Sequence, residues 1–149
     1  MINVLFHIPL FYYEVKEWDR KKKALLSRIN QNKFDYYGAA NFQTDRHSKK
    51  NKYALDFENI FDEELTQFKE EAKLSYLKVK DIWTLKYSMK HESHCPHNHA
   101  STGYTGILYL EHDPKEGVMY IWPSVLLHYV DGMNSKKTRM ITSWDMDVN

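Results

Sequence analysis

The sequence is short of the features that mark secreted and membrane proteins. It has one cysteine, Cys95, so no disulfide can form within the chain, and a single thiol is typical of a reducing compartment. No apolar run is long enough to span a bilayer. Residues 1–13 are mostly apolar but lack the basic region and the small-residue cleavage site of a secretory leader. These absences predict a cytoplasmic protein that does not enter a membrane.

The chain also lacks an excess of charge of either sign. Its 21 lysines and arginines stand against 20 aspartates and glutamates, which leaves a formal charge of +1. Such a balance gives no reason to expect a general, charge-driven affinity for nucleic acid. Residues 20–23 form a short basic run without interleaved aromatic residues, and we interpret this run as the solvated face of a helix.

Aromatic residues, by contrast, are plentiful. The chain has 11 tyrosines, 7 phenylalanines and 4 tryptophans, which suit a β-rich core and an aromatic-lined pocket. Its 149 residues fit one domain, 1–149, large enough to bury a sizeable core without disulfides or a structural metal.

The apolar pattern divides the chain into a first half with helices and a second half rich in strands. Helical spacing predicts helices over residues 14–29 and 57–77, and the polar stretch 30–53 is typical of a loop with a short strand at 42–44. Residues 3–15 predict one or two strands interrupted at Pro9. Period-two alternation and turn residues predict further strands at 82–89, 105–110, 118–122, 126–130 and 138–144. We therefore expect a mostly β, α+β fold, in which helices flank a jelly-roll core.

Histidines are concentrated where the strand-rich half begins. His97 and His99 are two residues apart, so on a strand they point to the same face. His128, on a later predicted strand, can complete a triad with them. Neutral imidazole is the commonest metal ligand in proteins, so the triad predicts a metal site. His94 and Glu111 are reserve ligands.

Arg139, Ile141 and Ser143 share one face of the last predicted strand. The planar guanidinium of arginine holds a carboxylate through two parallel hydrogen bonds, and the hydroxyl of Ser143 can add a third. This pair predicts an anion site beside the metal. The alternative, that Arg139 is a surface charge on an edge strand, stays open at this point.

Taken in order, these motifs resemble the iron(II)- and 2-oxoglutarate-dependent oxygenases, in particular a branch that is common in marine phages and bacteria. The matching segments are Pro-His-x-His at 96–99, Thr-Gly-x-x-Tyr at 105–109, Trp-Pro-Ser-x-x-x-His at 122–128 and Arg-x-x-x-Ser at 139–143. The likeness covers most of the C-terminal half and extends more weakly to residues 8–11. It implies a double-stranded β-helix, the cupin-like form of the jelly roll.

The resemblance also implies a role for each site residue. Fe(II) would be held by His97, His99 and His128. Arg139 and Ser143 would bind the far carboxylate of 2-oxoglutarate, whose near end chelates the metal. Tyr87 or Tyr109 would support this co-substrate, although core packing explains both tyrosines equally well. The implied protein is a hydroxylase of unknown substrate in the cytoplasm, which is the host's cytoplasm if a phage encodes it.

The sequence departs from the family in two places. The usual ligand set has two histidines and one carboxylate, whereas here His99 takes the place of the carboxylate and leaves the site one unit more positive. Only 28 residues, 100–127, lie between His99 and His128, so several middle strands of the barrel are expected to be missing. Three alternatives follow: a minimal active barrel, a barrel completed by a second subunit in a homodimer, or an inactive copy.

Two other functions stay open at this point. A cupin-type metal enzyme would use Zn, Ni or Mn on the three histidines without 2-oxoglutarate, and it predicts no anion pocket at Arg139. A non-catalytic jelly-roll binding module predicts histidines that do not converge. Cys95 is interpreted as a small, partly buried residue rather than a ligand. The prime substrate is not identified, because fold analogy alone does not choose a substrate.

Overall fold

The computed structural model describes residues 7–37, 42–48, 53–88, 93–99, 102–130 and 137–149. None of the helices in these ranges combines the length and the apolarity that a membrane crossing requires. In chain order the elements are β1 (Phe11–Glu14), α1 (Trp18–Ile29), β2 (Asp35–Tyr36), β3 (Gln43–Thr44), α2 (Ala54–Ile60), α3 (Asp62–Glu71), β4 (Leu77–Tyr87), β5 (His94–His97), β6 (Tyr104–Glu111), β7 (Val118–Pro123), β8 (His128–Val130) and β9 (Arg139–Val148).

Two antiparallel sheets form the core of the fold. The large sheet has the order β1-β7-β6-β9-β4-β3-β2, and β5 pairs with β8 in a smaller sheet. This arrangement confirms the predicted double-stranded β-helix with flanking helices. It also confirms the shortened middle, because β6 passes directly into β7 through the turn 112–117. In the described ranges the smaller sheet consequently has two strands.

The three helices cover one face of the large sheet. Side chains alternate between the faces of a strand, and on this side β6, β7 and β9 present apolar residues to the helices. Phe57 of α2 packs on Trp144 of β9, with ring centroids 4.7 Å apart. The indole of Trp144 lies over Gly106 of β6, where a Cβ atom would come within 2.3 Å of the ring. Glycine is therefore required at this position of β6.

The opposite face of the large sheet looks toward the smaller sheet. Trp83, Leu85 and Tyr87 of β4 are buried on this side, as the alternation in the sequence predicts. Trp83 stacks on His99, with ring centroids 5.5 Å apart, and Phe42 lies 4.7 Å from His94. The histidine segment therefore packs against this second apolar layer.

The ends of several predicted elements differ from the observed ones. The first helix begins at Trp18, because residues 11–14 pair with β7 and Glu17 adopts a left-handed φ of 50°. The second predicted helix is two helices, separated at Phe61, whose ring is fully buried and whose backbone leaves the helical region. Residue 77 already belongs to β4, which is paired with β9. Met89, the end of a predicted strand, lies outside the described residues.

A buried ion pair joins α1 to α3. The Nζ atom of Lys21 lies 2.8 Å from both carboxylate oxygens of Glu64, and each side chain is 4% exposed. The interpretation of residues 20–23 as a solvated face is therefore wrong for Lys21, which shares a buried stripe with Leu25 and Ile29. Because both charges have left water, each needs the other to offset its desolvation.

We expect Glu64→Gln to lower the free energy of unfolding by about 3–5 kcal/mol, because it leaves the ammonium group of Lys21 buried without a countercharge. Urea denaturation followed by circular dichroism measures this loss. The double variant Lys21→Met/Glu64→Leu removes both charges and is expected to recover most of the lost stability.

The matched control is Glu63→Gln, one residue earlier in α3. Glu63 pairs with Lys16 at the surface, where the two side chains are 53% and 71% exposed. Its loss is expected to leave the free energy of unfolding nearly unchanged. Equal effects of Glu64→Gln and Glu63→Gln would show that the buried pair does not carry this stabilisation.

Candidate metal centre and its two cavities

The smaller sheet brings the predicted histidine triad together. The segment that leads into the triad is strand β5, and His97 lies directly opposite His128 in the β5–β8 ladder. His99 follows β5, and its backbone N–H donates to the carbonyl of Ser124 at 2.8 Å. One ring nitrogen from each of the three histidines lies within 4.8 Å of the others. This spacing allows all three nitrogens to bind one metal ion.

Each of the three imidazoles is oriented by a hydrogen bond at Nδ1. His97 Nδ1 lies 2.8 Å from the carbonyl oxygen of Cys95, and His128 Nδ1 lies 3.2 Å from that of Leu126. A carbonyl oxygen can only accept, so Nδ1 is the donor in both rings and Nε2 keeps its lone pair for a metal. His99 Nδ1 lies 2.7 Å from Oδ1 of a carboxylate, and the same reasoning applies to an ionised acid.

The carboxylate beside His99 belongs to Asp145, a residue that the sequence analysis missed. Its side chain is 6% exposed and lies on β9, flanked by β4 and β6. Carboxylates that accept from a metal-binding histidine fix the orientation of its ring and raise the basicity of the ligand nitrogen. The sequence did contain a signal for Asp145, because residues 139, 141, 143 and 145 alternate along β9 and therefore lie on the same face as Arg139 and Ser143.

Burial keeps His94, His97 and His128 in the neutral form that binds metals. Burial is the main cause that lowers the pKa of His97 and of His128, and the neighbouring histidines lower both further. Burial and the same neighbours lower the pKa of His94 to about 4. His94, His97 and His128 are therefore neutral near pH 7, as metal coordination requires.

The reserve ligands are not part of the nitrogen cluster. His94 stacks on His97 with ring centroids 3.8 Å apart, but it does not join the group of three. The carboxylate of Glu111 lies 3.9 Å from Lys22 of α1. Cys95 is exposed, so its interpretation as a partly buried residue is wrong. Its contact with the triad is the hydrogen bond that its backbone carbonyl accepts from His97 Nδ1.

A cavity of about 420 Å³ adjoins the triad on the side of His97 and His99. We call it the Arg46 cavity. Its walls include Phe42 and Trp83, with His94 beside them and Arg46 at its polar side. No feature of the sequence had singled out Arg46, which lies in the region 30–53 that was predicted as a loop.

A second cavity, of about 620 Å³, adjoins the triad on the side of His128. We call it the Arg139 cavity. Tyr109 and Lys115 line it together with Arg139. Its rim carries exposed apolar side chains, namely Ile8, Leu10, Leu127 and Tyr129.

The predicted anion-binding residues are brought together in part. Arg139 is 12% exposed, its guanidinium lies 4.8 Å from the ring centre of Tyr87, and its Nη1 atom lies 3.8 Å from Oδ2 of Asp113. Tyr109 lines the same cavity, and burial raises the pKa of its phenol. The hydroxyl of Ser143 instead donates to the carbonyl of Gly106 at 3.2 Å, and Ser143 does not line the Arg139 cavity. The charge of Asp113 beside Arg139 was not foreseen.

This fold is found in solved structures of 2OG-Fe(II) oxygenases. A family member from Burkholderia pseudomallei superposes with a TM-score of 0.68 over 85% of this chain and 77% of its own, at 9% identity. HygX from Streptomyces hygroscopicus, solved with nickel and 2-oxoglutarate, gives 0.62 over 93% and 82%, at 8% identity. The viral collagen prolyl hydroxylase of Paramecium Bursaria Chlorella virus-1 gives 0.58 over 92% and 94%, at 11% identity. No protein-family model and no curated protein matches the sequence.

The fold is therefore that of the 2OG-Fe(II) oxygenases, and it carries a triad of histidines whose spacing suits a metal ion. At these sequence identities the likeness concerns the fold alone. The chemistry of the site has to be argued from its own residues.

We expect Asp145→Asn to weaken binding of a divalent metal by about 10- to 100-fold, because a neutral amide is a poorer acceptor for the Nδ1 proton of His99. Competition with a chromophoric chelator, using Co(II), measures this affinity. Asp147→Asn is the matched control, since Asp147 is on the same strand but exposed, with its carboxylate 3.7 Å from Lys80. If the two variants bind Co(II) with equal affinity, Asp145 does not contribute to metal binding.

Proposed function

We propose that this protein is an Fe(II)- and 2-oxoglutarate-dependent oxygenase that hydroxylates a substrate. The observation that carries the proposal is the meeting of three histidine nitrogens within 4.8 Å, next to a cavity that contains a largely buried arginine. Neither feature alone is distinctive. Together they provide a metal site and a site for the far end of a dicarboxylate.

The three histidines suit Fe(II) as a set of neutral donors. Each ring is held at Nδ1 and offers Nε2, so the metal would meet oriented ligands. Fe(II) and 2-oxoglutarate, when bound, would supply oxidising chemistry in which O2 is the oxidant: one of its oxygen atoms enters the hydroxyl group of the substrate, and the other enters the succinate that forms as 2-oxoglutarate loses CO2. Three histidines can also hold Zn²⁺ with an open position, so metal identity must be measured.

Arg139 is the residue that would bind the far carboxylate of 2-oxoglutarate. It lines the same cavity as His128, so a dicarboxylate in this cavity can reach the metal with one end and the guanidinium with the other. The face of Tyr87 holds the guanidinium in place by a cation–π contact. Tyr109 and Lys115 add a phenol and a second positive charge to the wall. The predicted contribution of Ser143 stays a prediction, as does a homodimer that covers the apolar rim.

The proposal is tested by anaerobic titration with Fe(II) and 2-oxoglutarate, read from the visible charge-transfer band of the chelate. His99→Ala is expected to abolish the band, because it removes one ligand. Arg139→Ala is expected to keep the metal but to weaken 2-oxoglutarate binding by about 10- to 100-fold, the worth of a charge-assisted hydrogen-bond pair. Arg28→Ala, a surface arginine of α1 that pairs with Asp56, is the control and should bind both normally.

The alternative outcomes point to the other two functions. Tight metal binding without any band, in the wild-type protein, would favour a cupin-type enzyme that uses Zn, Ni or Mn. Absence of metal binding would leave a binding module on a jelly roll. A band that survives Arg139→Ala unchanged would mean that 2-oxoglutarate is not held by Arg139.

Asp113 is expected to compete with 2-oxoglutarate for Arg139. Its carboxylate lies 3.8 Å from the guanidinium in a place where both side chains are nearly buried. Asp113→Asn removes this competing charge and should tighten 2-oxoglutarate binding on the order of tenfold in the same titration. The control is Glu116→Gln, a carboxylate on the same turn that pairs with Lys22 instead. Weaker binding in Asp113→Asn would contradict competition and would make Asp113 a residue that positions Arg139.

A further inference from the structure

The Arg46 cavity and the Arg139 cavity adjoin different histidines of the triad. His97 and His99 line the former, whereas His128 lines the latter, and no described residue lines both cavities. A metal held by the triad would therefore be open to both cavities. If 2-oxoglutarate enters on the side of Arg139, the other cavity is left for the molecule that is hydroxylated.

The charge of the Arg46 cavity favours an anion. Among its described lining residues the one carboxylate is that of Asp145, which lies 2.7 Å from His99 Nδ1. Arg46 is exposed, and no aspartate or glutamate of the described ranges forms an ion pair with it. The cavity thus presents a cation whose charge is not compensated by a neighbouring described side chain.

Contacts with neighbouring residues restrict the position of the Arg46 guanidinium. Its Cζ atom lies 4.1 Å from the ring centre of Trp83, which is itself 3% exposed and stacked on His99. The backbone N–H of Arg46 donates to the hydroxyl of Thr44 at 3.2 Å. Stacking occupies the face of a guanidinium and leaves the N–H groups at its edge available for a carboxylate or phosphate.

Aromatic side chains form the rest of the wall. Phe42 is 1% exposed, and Tyr37 stacks almost parallel to it at an interplanar angle of 11°. Leu85 adds an apolar side chain to the same wall. The faces of these rings are occupied, because Arg46 and His99 stack on Trp83 and Tyr37 stacks on Phe42. The cavity is therefore lined by aromatic edges, on which a planar ring can pack edge to face. Its volume of about 420 Å³ is large enough for one ring with its substituent.

We infer that the Arg46 cavity is the prime-substrate site, and that it takes a small aromatic anion whose carboxylate or phosphate lies on Arg46 and whose ring packs on the aromatic edges that line the cavity. This inference rests on the proposed function for its assignment of substrate, but the binding of the anion itself does not require a metal. The ring, rather than the anion, would then be the part that approaches His97 and His99.

The first arm of the test uses the 149-residue chain without added metal. Fluorine NMR titrations with 4-fluorobenzoate and with 4-fluorophenyl phosphate measure the binding of the two kinds of anion, and 4-fluorophenol serves as the neutral ring. We expect at least one anion to bind, and Arg46→Gln to weaken it by about tenfold or more. Arg28→Gln, at an exposed arginine of α1, should bind like the wild-type protein.

The two anions distinguish the kind of headgroup. Preference for the benzoate would assign a carboxylate substrate, and preference for the phenyl phosphate a phosphorylated one; either result supports the inference. Equal binding of both anions to wild-type and Arg46→Gln proteins would overturn it. Binding of 4-fluorophenol as tight as that of the anions would also overturn it, because the charge of Arg46 would then have no role.

The second arm separates this inference from the proposed function. In protein loaded with Co(II), the fluorine signal of the bound anion is expected to relax faster than in the metal-free protein, because the ring lies near the triad. Arg46→Gln should keep its affinity for 2-oxoglutarate, whereas Arg139→Gln should lose it. If Co(II) does not bind, the proposed function fails while the anion site of the first arm stands. If 2-oxoglutarate binding depends on Arg46 rather than Arg139, the assignment of the two cavities is overturned.

Discussion

The hydrogen bond between His99 and Asp145 is the interaction on which the candidate site depends. A two-stranded sheet such as β5–β8 is marginal by itself and takes its stability from packing on other elements. Asp145 lies within β9, which is paired with β4 on one side and β6 on the other. The carboxylate is therefore held by the most enclosed strand of the large sheet. Its hydrogen bond to His99 fixes the position of that ring. The other two histidines of the triad lie on β5 and β8 of the smaller, less stable sheet.

The charges around the triad are distributed unequally, and this asymmetry supports the different roles that we propose for the two cavities. Arg139 is largely buried and already has Asp113 beside it. Arg46 is exposed, stacked on Trp83, and has no acidic partner among the described residues. A strong dicarboxylate ligand can displace an internal carboxylate, while a weaker monoanion is better served by a cation that is not yet paired. His97 and His128, whose pKa values are lowered by burial, are uncharged near pH 7 and add no charge that would screen either cation.

Local periodicity in the sequence predicted what depends on a single strand, and failed where distant elements meet. The alternation of Trp83, Leu85 and Tyr87 predicted one buried face, since side chains of a strand alternate whatever they pack against. The spacing of His97 and His99 predicted convergence for the same reason. Asp145 lay on the predicted face of Arg139, but its contact with His99 depends on how β5 crosses β9. The burial of Lys21 was missed because its partner, Glu64, belongs to another helix.

The shortened barrel and the charge of the Arg139 cavity have one cause. The turn between β6 and β7 replaces the expected middle strands, and it is closed by hydrogen bonds from Gly117 N–H to the carbonyl of Tyr109 and from Lys115 N–H to Asp113 Oδ1, both 2.9 Å long. Gly117 makes this turn with a φ of 81°. The turn closed by these hydrogen bonds places Asp113 beside Arg139 and Lys115 in the wall of the Arg139 cavity. In the proposed function these two charges act on the anion that binds at Arg139, Asp113 against it and Lys115 in its favour.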